Sequence, residues 1–395
     1  MNPQLESEPL SDDLSFSPVQ GGPFYRLRKA IGLVPEKGLG LARRALAIIA
    51  VAWLPVVIGA LVAGQALEGK DTDPLLRHFG LHARFLLSVP LLIFAEASME
   101  RKIPPMIRHF VASGLVDTET LPEFRRALEH ARRVRDSVWG SVFVLAAMIA
   151  VVLFAAATSA HRDEMSWANG PSGIGFAGWW YNTVSRPIFV GLLAIWAWRF
   201  VVLWSLVWKL SQLDLRLVAS HPDGVGGLGF LESASKASAP LVAAISVVIA
   251  GRWGHEVLYH GVHVESLFPL AAVFVAVSVL IFNGPLLLIG RNLRAFKARS
   301  VLEYSSLVGH HGRLVYQKWI RNQDVGTPDL LNAPELGPTV DISSIYESVA
   351  KMRFAPISRK SLVPIVVAAL LPMLPVYAIE VPIAEILKKL AGAVF

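Results

Sequence analysis

The sequence predicts an all-α, polytopic membrane helix bundle of about seven transmembrane helices with cytoplasmic helical extensions. Hydrophobic residues make up 54% of its 395 positions and charged residues only 17%, against roughly 25% charged in soluble globular chains. The apolar residues gather in blocks of about 20, the length that crosses a hydrocarbon core of about 30 Å. Inside lipid an isolated segment satisfies its own backbone groups only as a helix. The absence of cysteine excludes disulfides, thiolate metal sites and cysteine nucleophiles.

The first segment, 1–43, opens on "MNPQLESEPLSDDLSFSPVQGGPF". It is acidic, rich in Ser and Pro, and lacks the basic start and apolar core of a signal peptide, so it reads as a retained, disordered cytoplasmic tail. A six-span core at 44–290 follows, with spans near Arg44–Leu67, His82–Ser98, Val138–Thr158, Pro187–Trp208, Ala239–Val257 and Leu267–Gly290. The second span has an apolar core of only about 14 residues, short for a crossing.

Between spans two and three, Thr120 and Glu123 have capping-box spacing. Phe124, Ala127, Leu128, Ala131 and Val134 then recur with helical period, opposite Arg125, Arg126, Arg132 and Arg133. No breaker separates this helix, near 120–137, from the third span. One continuous helix over 121–158, about 57 Å long at 1.5 Å per residue, is therefore expected to project into the cytoplasm. Residues 291–361 form a cytoplasmic helical segment expected to pack on the Thr120 helix. At 362–395 come the last span, which carries Pro364, Pro372 and Pro375, and a C-terminal interfacial helix patterned by Ile383, Ile386, Leu387 and Leu390.

Lys and Arg set the orientation. With the N-terminus cytoplasmic, 28 of the 37 fall on the inner side, Arg199 lies within a span, and only Lys70, Arg77, Arg84, Arg162, Arg186, Arg252, Lys388 and Lys389 lie on the outer side. The net charge of +7 then reflects attraction to the lipid bilayer and its anionic lipids, with no nucleic-acid face implied.

Three places invite chemistry. The loop "SHPDGVGGLGFL" joins spans four and five. Its Gly226 and Gly227, with His221 and Asp223, could present backbone N–H groups to a lipid phosphate or other anion. A helix precedes the glycines, so dinucleotide binding is rejected, and a plain glycine turn competes with the anion reading. Arg199, in "IWAWRF", lies near the middle of span four and must face the bundle. Its expected partner is Asn283, or the backbone carbonyls freed where the Asn-Gly-Pro step should interrupt span six, making a midplane site for a substrate or anion, or a structural tie. No carboxylate looks central, Glu96 and Glu380 lying near span ends. On the outer side Glu256, His260 and His263 are spaced i, i+4, i+7 and would suit a divalent metal, although Gly261 weakens the helix. No other cofactor is implied. His221 with Asp223 is the only cytoplasmic acid–base pair close in sequence, and nothing completes a catalytic set, so an enzyme is disfavoured.

The stretches "HPDGVGGLGFL" and "VDISSIYESVAKMRFAPISRKSLVPIVVAALLPMLP" resemble signatures of an uncharacterised family of polytopic bacterial inner-membrane proteins. The resemblance covers the chain from about span four onwards. It implies a bacterial cytoplasmic (inner) membrane location and assigns no activity. Two functions remain: an accessory or scaffold subunit docking a membrane-protein partner through its cytoplasmic helices, ranked slightly ahead, and a transporter or channel for an anionic or amphiphilic solute.

Overall fold

The computed structural model describes residues 14–35, 39–67, 74–157, 166–170, 173–325 and 337–380. Helix α1 is Gly22–Ala30. The first two spans are α2, Leu41–Val62, and α3, Phe79–Ala112. The next apolar run divides into α4, Leu121–Asp136, and α5, Val138–Ala157. Then follow α6 (Phe176–Leu210), α7 (Gly229–Tyr259) and α8 (Val264–Ile320). The chain ends in α9 (Gly337–Ala350) and α10 (Arg359–Tyr377). Among the described residues seven helices are long and apolar enough to cross a membrane, and the chain is a multi-pass membrane protein. Strand among the described residues is confined to a two-residue ladder pairing Asn169–Gly170 with Gly173–Ile174.

Helices α3 and α7 form the centre. Val89, Leu92, Ile93, Glu96, Met99, Ile103, Ile107 and Phe110 line the buried face of α3 at helical spacing. Opposite, α7 buries Ser235, Ala237, Ser238, Ala244, Ser246 and Ala250, small residues that let helices approach where no hydrophobic effect drives them together. Helix α5 buries only Gly140 and Val144 and leaves Val142, Phe143, Leu145, Ile149 and Leu153 exposed, as suits a lipid-facing span.

Helix α2 kinks at Trp53, where Pro55 brings no N–H to the ladder. The carbonyls left over accept from α6: Val51 from Trp180 Nε1 at 2.9 Å and Ala52 from Ser185 Oγ at 2.5 Å. Satisfying freed carbonyls from a neighbouring helix is what makes such a kink tolerable in lipid.

Several expectations are corrected. The N-terminal region is not all a disordered tail: Leu14, Phe16 and Val19 are buried, and Arg132 and Arg135 donate to the carbonyls of Ser15, Ser17 and Gln20. The helix over 121–158 is not continuous. Ser137 is extended (ψ 143°), which turns α4 back so that Phe124, Ala127, Leu128 and Ala131 are buried within the chain and Phe124 meets Phe110. Thr120 makes no capping box; its hydroxyl donates to Asp117 instead. Asn283-Gly284-Pro285 does not interrupt α8, whose α-helical part runs unbroken over Phe268–Val315. The segment after it packs through α9 on α8 rather than on α4. The second span is longer than its apolar core because an amphipathic half, from Met99 to Phe110, continues it into the bundle. The interfacial helix expected around Ile383–Leu390 lies outside the described residues.

Candidate anion site: an arginine-walled cleft

Glu96 sits on the inward face of α3, 2% exposed. Three guanidiniums from three separate elements close on it. Arg44 of α2 reaches Oε2 at 2.6 Å, Arg199 of α6 reaches Oε1 at 2.9 Å, and Arg28 of α1 reaches Oε1 at 3.0 Å. Arg199 also stacks on Trp196, 4.9 Å from its ring centre. Three cations on one carboxylate leave positive charge uncompensated. The next acid on α3, Glu100, accepts from the Ser17 hydroxyl and acts on Arg199 and Arg135 only through its field. Burial, with Arg199 and Arg44 nearby, holds Arg28 below its ordinary pKa against the pull of Glu96.

This geometry fixes the depth of the cluster. At 1.5 Å per residue, the helices run about 27 Å from Arg44 to Val62, about 26 Å from Glu96 back to Phe79, and about 35 Å from Arg199 back to Phe176. These lengths match one hydrocarbon core, so the cluster lies at one edge of the apolar slab.

Against the cluster opens a small cleft with a cavity volume of ≈ 40 Å³, walled by Pro18 to Arg28 on one side, Ser137 and the start of α5 as far as Val144 on another, and Ile195, Trp198 and Arg199 of α6. Of the cationic residues, Arg28, Arg135 and Arg199 line it, and no acidic residue does. Arg135 is consumed by Asp136 and two backbone carbonyls. Arg28 spends Nε on the Phe24 carbonyl and Nη1 on Glu96, while Arg199 spends only Nη1. The remaining N–H groups of these two have no hydrogen-bond partner among the described residues. Two further wall groups, Ser141 Oγ and Trp198 Nε1, are buried without one.

The glycine loop is the opposite case. Gly224, Gly226 and Gly227 all have positive φ (66°, 69° and 97°), the region that glycine enters without strain. Most of the loop's N–H groups are already taken: Gly224 donates to His221 O and three others to Asp223. Asp223 Oδ1 accepts from Val225 (2.8 Å) and Gly227 (3.1 Å), and Oδ2 from Gly229 (2.7 Å). His221 Nδ1 lies 2.9 Å from the same carboxylate. Burial raises the Asp223 pKa, but these hydrogen bonds outweigh it and the net shift is downward. Arg353 clamps the loop from outside, donating from its backbone to Gly224 O at 2.7 Å, from Nη2 to Asp223 O at 3.0 Å and from Nη1 to Glu232 at 3.0 Å. The anion site expected at His221, Asp223, Gly226 and Gly227 is thus filled by the protein's own carboxylate.

The other expected sites are not assembled. Asn283 does not meet Arg199; its Oδ1 accepts from Ser235 at 2.8 Å and its Nδ2 donates to Val279 O, tying α7 to α8. Glu256, His260 and His263 do not share a helix face, because α7 stops at Tyr259 and Gly261 (φ 66°) turns the chain. Glu256 pairs with Arg252, and His263 approaches Glu380 at 3.9 Å. Among the described residues no cluster of His, Asp and Glu could hold a metal. Glu96, Arg28 and Arg44 escaped sequence reasoning because Glu96 looked terminal in a short span. A heptad-like continuation from Met99 to Phe110 was the signal that would have placed it mid-helix. No family model, curated protein or solved structure matches the chain.

Proposed function

We propose that the chain is a bacterial inner-membrane protein, N-terminus cytoplasmic, that takes an anionic or amphiphilic solute at its cytoplasmic edge, as a transporter or channel would. The observation that supports this reading is the cleft itself: guanidinium N–H groups of Arg28 and Arg199 face it with no acid among its lining residues. A partly desolvated cation pair of this kind is a strong anion ligand, because charge-assisted hydrogen bonds gain in a low-dielectric surround. The test is ligand-dependent thermal stability of the purified protein in phosphatidylcholine nanodiscs, titrated with inorganic phosphate, glycerol 3-phosphate, oleate and phosphatidic acid. At least one should raise the melting temperature in the wild type and fail to do so in Arg28→Ala. No shift with any of the four removes the reading.

The scaffold reading loses its apolar docking face on α4, which is buried within the chain. It retains one support, the exposed Leu302, Leu307, Trp319 and Ile320 on the long extension of α8. If the extension docks a partner, Trp319→Asp should strip a co-purifying polypeptide while leaving the spans folded.

A further inference from the structure

We infer that the ligand of the cleft is a phosphate-headed lipid that enters sideways from the bilayer. Its phosphate would rest on Arg28 and Arg199, and its chain would lie along α5 and α6. This rests on the anion-site reading above and names the ligand class.

Three features converge on a phosphate with a chain. The first is donor count. Beyond the two guanidiniums, Ser141 Oγ and Trp198 Nε1 are buried wall groups with no acceptor. A buried unpaired donor is costly, and two on facing helices of one cleft mark the place of a missing acceptor. A carboxylate offers two oxygens, whereas a phosphate monoester offers three non-bridging ones and a charge that better matches the excess of guanidinium around Glu96. The second is the wall chemistry. Pro18, Pro23, Phe24, Val144 and Ile195 make the rest of the cleft apolar, which a free inorganic anion would not need.

The third is the way in. Helix α5, one wall, is the least buried span. On its outer side Trp139 is 73% and Phe143 45% exposed, and the Phe143 ring lies 6.4 Å from that of Trp198. An apolar track therefore runs from the lipid-facing surface to the cleft. Trp198 covers Gly140, where a Cβ would lie 2.5 Å from Nε1.

The experiment is native mass spectrometry and thermal melting of the full chain in phosphatidylcholine nanodiscs, titrated with dioleoyl phosphatidic acid, oleate and glycerol 3-phosphate. Phosphatidic acid should bind at least about tenfold more tightly than either of the others. Trp198→Phe and Ser141→Ala should each weaken it by roughly tenfold, the worth of a hydrogen bond to a charged group. Neither donor has a hydrogen-bond partner inside the protein, so Ser141→Ala should leave the ligand-free melting temperature unchanged; Trp198→Phe also loses indole packing on Gly140 and is read by its affinity alone. Phosphatidic acid held nonspecifically on the basic exterior would not respond to either variant.

Oleate binding as tightly as phosphatidic acid overturns the phosphate assignment and leaves the anion site standing. Glycerol 3-phosphate binding equally well overturns the lateral lipid route. Wild-type affinity in both variants overturns the placement of the head. If nothing binds, the anion-site reading falls with it.

Discussion

The glycine loop and the arginine cleft are both built from one buried or half-buried carboxylate and a set of N–H donors, yet their accounts differ. In the loop, Asp223 is matched to Val225, Gly227 and Gly229, and Arg353 takes the outward carbonyls of Asp223 and Gly224. In the cleft, Glu96 is outnumbered by Arg28, Arg44 and Arg199. The loop is closed to ligands by its own sequence; the cleft has capacity left over. Donor-rich stretches are binding sites only where the fold leaves the donors unspent.

The comparison breaks most sharply at Glu96. Glu96→Gln removes the only carboxylate in contact with three guanidiniums, and breaking a buried ion pair from one side costs about 3–5 kcal/mol. We expect a steep loss of folded protein, read by thermal melting in nanodiscs. Survival at wild-type stability would mean that the arginines are already neutralised from elsewhere.

Asp223→Ala should be the next largest effect. It orphans three backbone N–H groups at a cost of about 1–3 kcal/mol, confined to the loop and read as faster amide exchange at Val225, Gly227 and Gly229. The pH dependence follows from the depressed pKa of Asp223. Its contribution is fully present above the unfolded carboxylate value near 3.9 and is lost as pH falls through the lower folded value. Exchange protection of those amides, corrected for intrinsic rate, should stay flat from pH 7 to pH 5 and collapse only below about 4. A change between pH 7 and 5 would mean that the Asp223 carboxylate is not what holds these amides.

Arg28→Ala is the sharper instrument on the cleft. Arg44 and Arg199 still neutralise Glu96, so stability should fall far less than in Glu96→Gln while anion-dependent stabilisation disappears. At the small end, Glu256→Ala should shift stability by no more than about 0.5 kcal/mol, since its partner Arg252 is largely exposed. Added zinc should not raise the melting temperature of the wild type.

Much of the fold was legible because it is written in blocks of hydropathy, and all seven expected spans are present. Their ends were not. Helices α3 and α8 run on as amphipathic helix where the apolar composition stops, and such a continuation reads as a cytoplasmic loop or segment. The turn at Ser137 carried no glycine or proline to announce it. The site was less legible still, since Arg28 meets Glu96 across 68 positions and Arg199 across 103, and no local pattern encodes such a pairing. One long-range relation can be understood in retrospect. The glycine loop and the 340–375 stretch touch in space, Arg353 clamping Asp223 and Gly224, while Ser358 donates to Glu232 at 2.6 Å.

The sharing of Glu96 also bears on how the chain is made. Arg44 and Glu96 belong to consecutive spans made before the one that carries Arg199, so that hairpin can neutralise its own charges on insertion. Arg199 arrives two spans later and finds its partner already in place at the edge of the bilayer. A guanidinium that would resist burial alone thus becomes the step that locks the second half of the bundle to the first, and chains truncated before Arg199 should insert while remaining open to proteases.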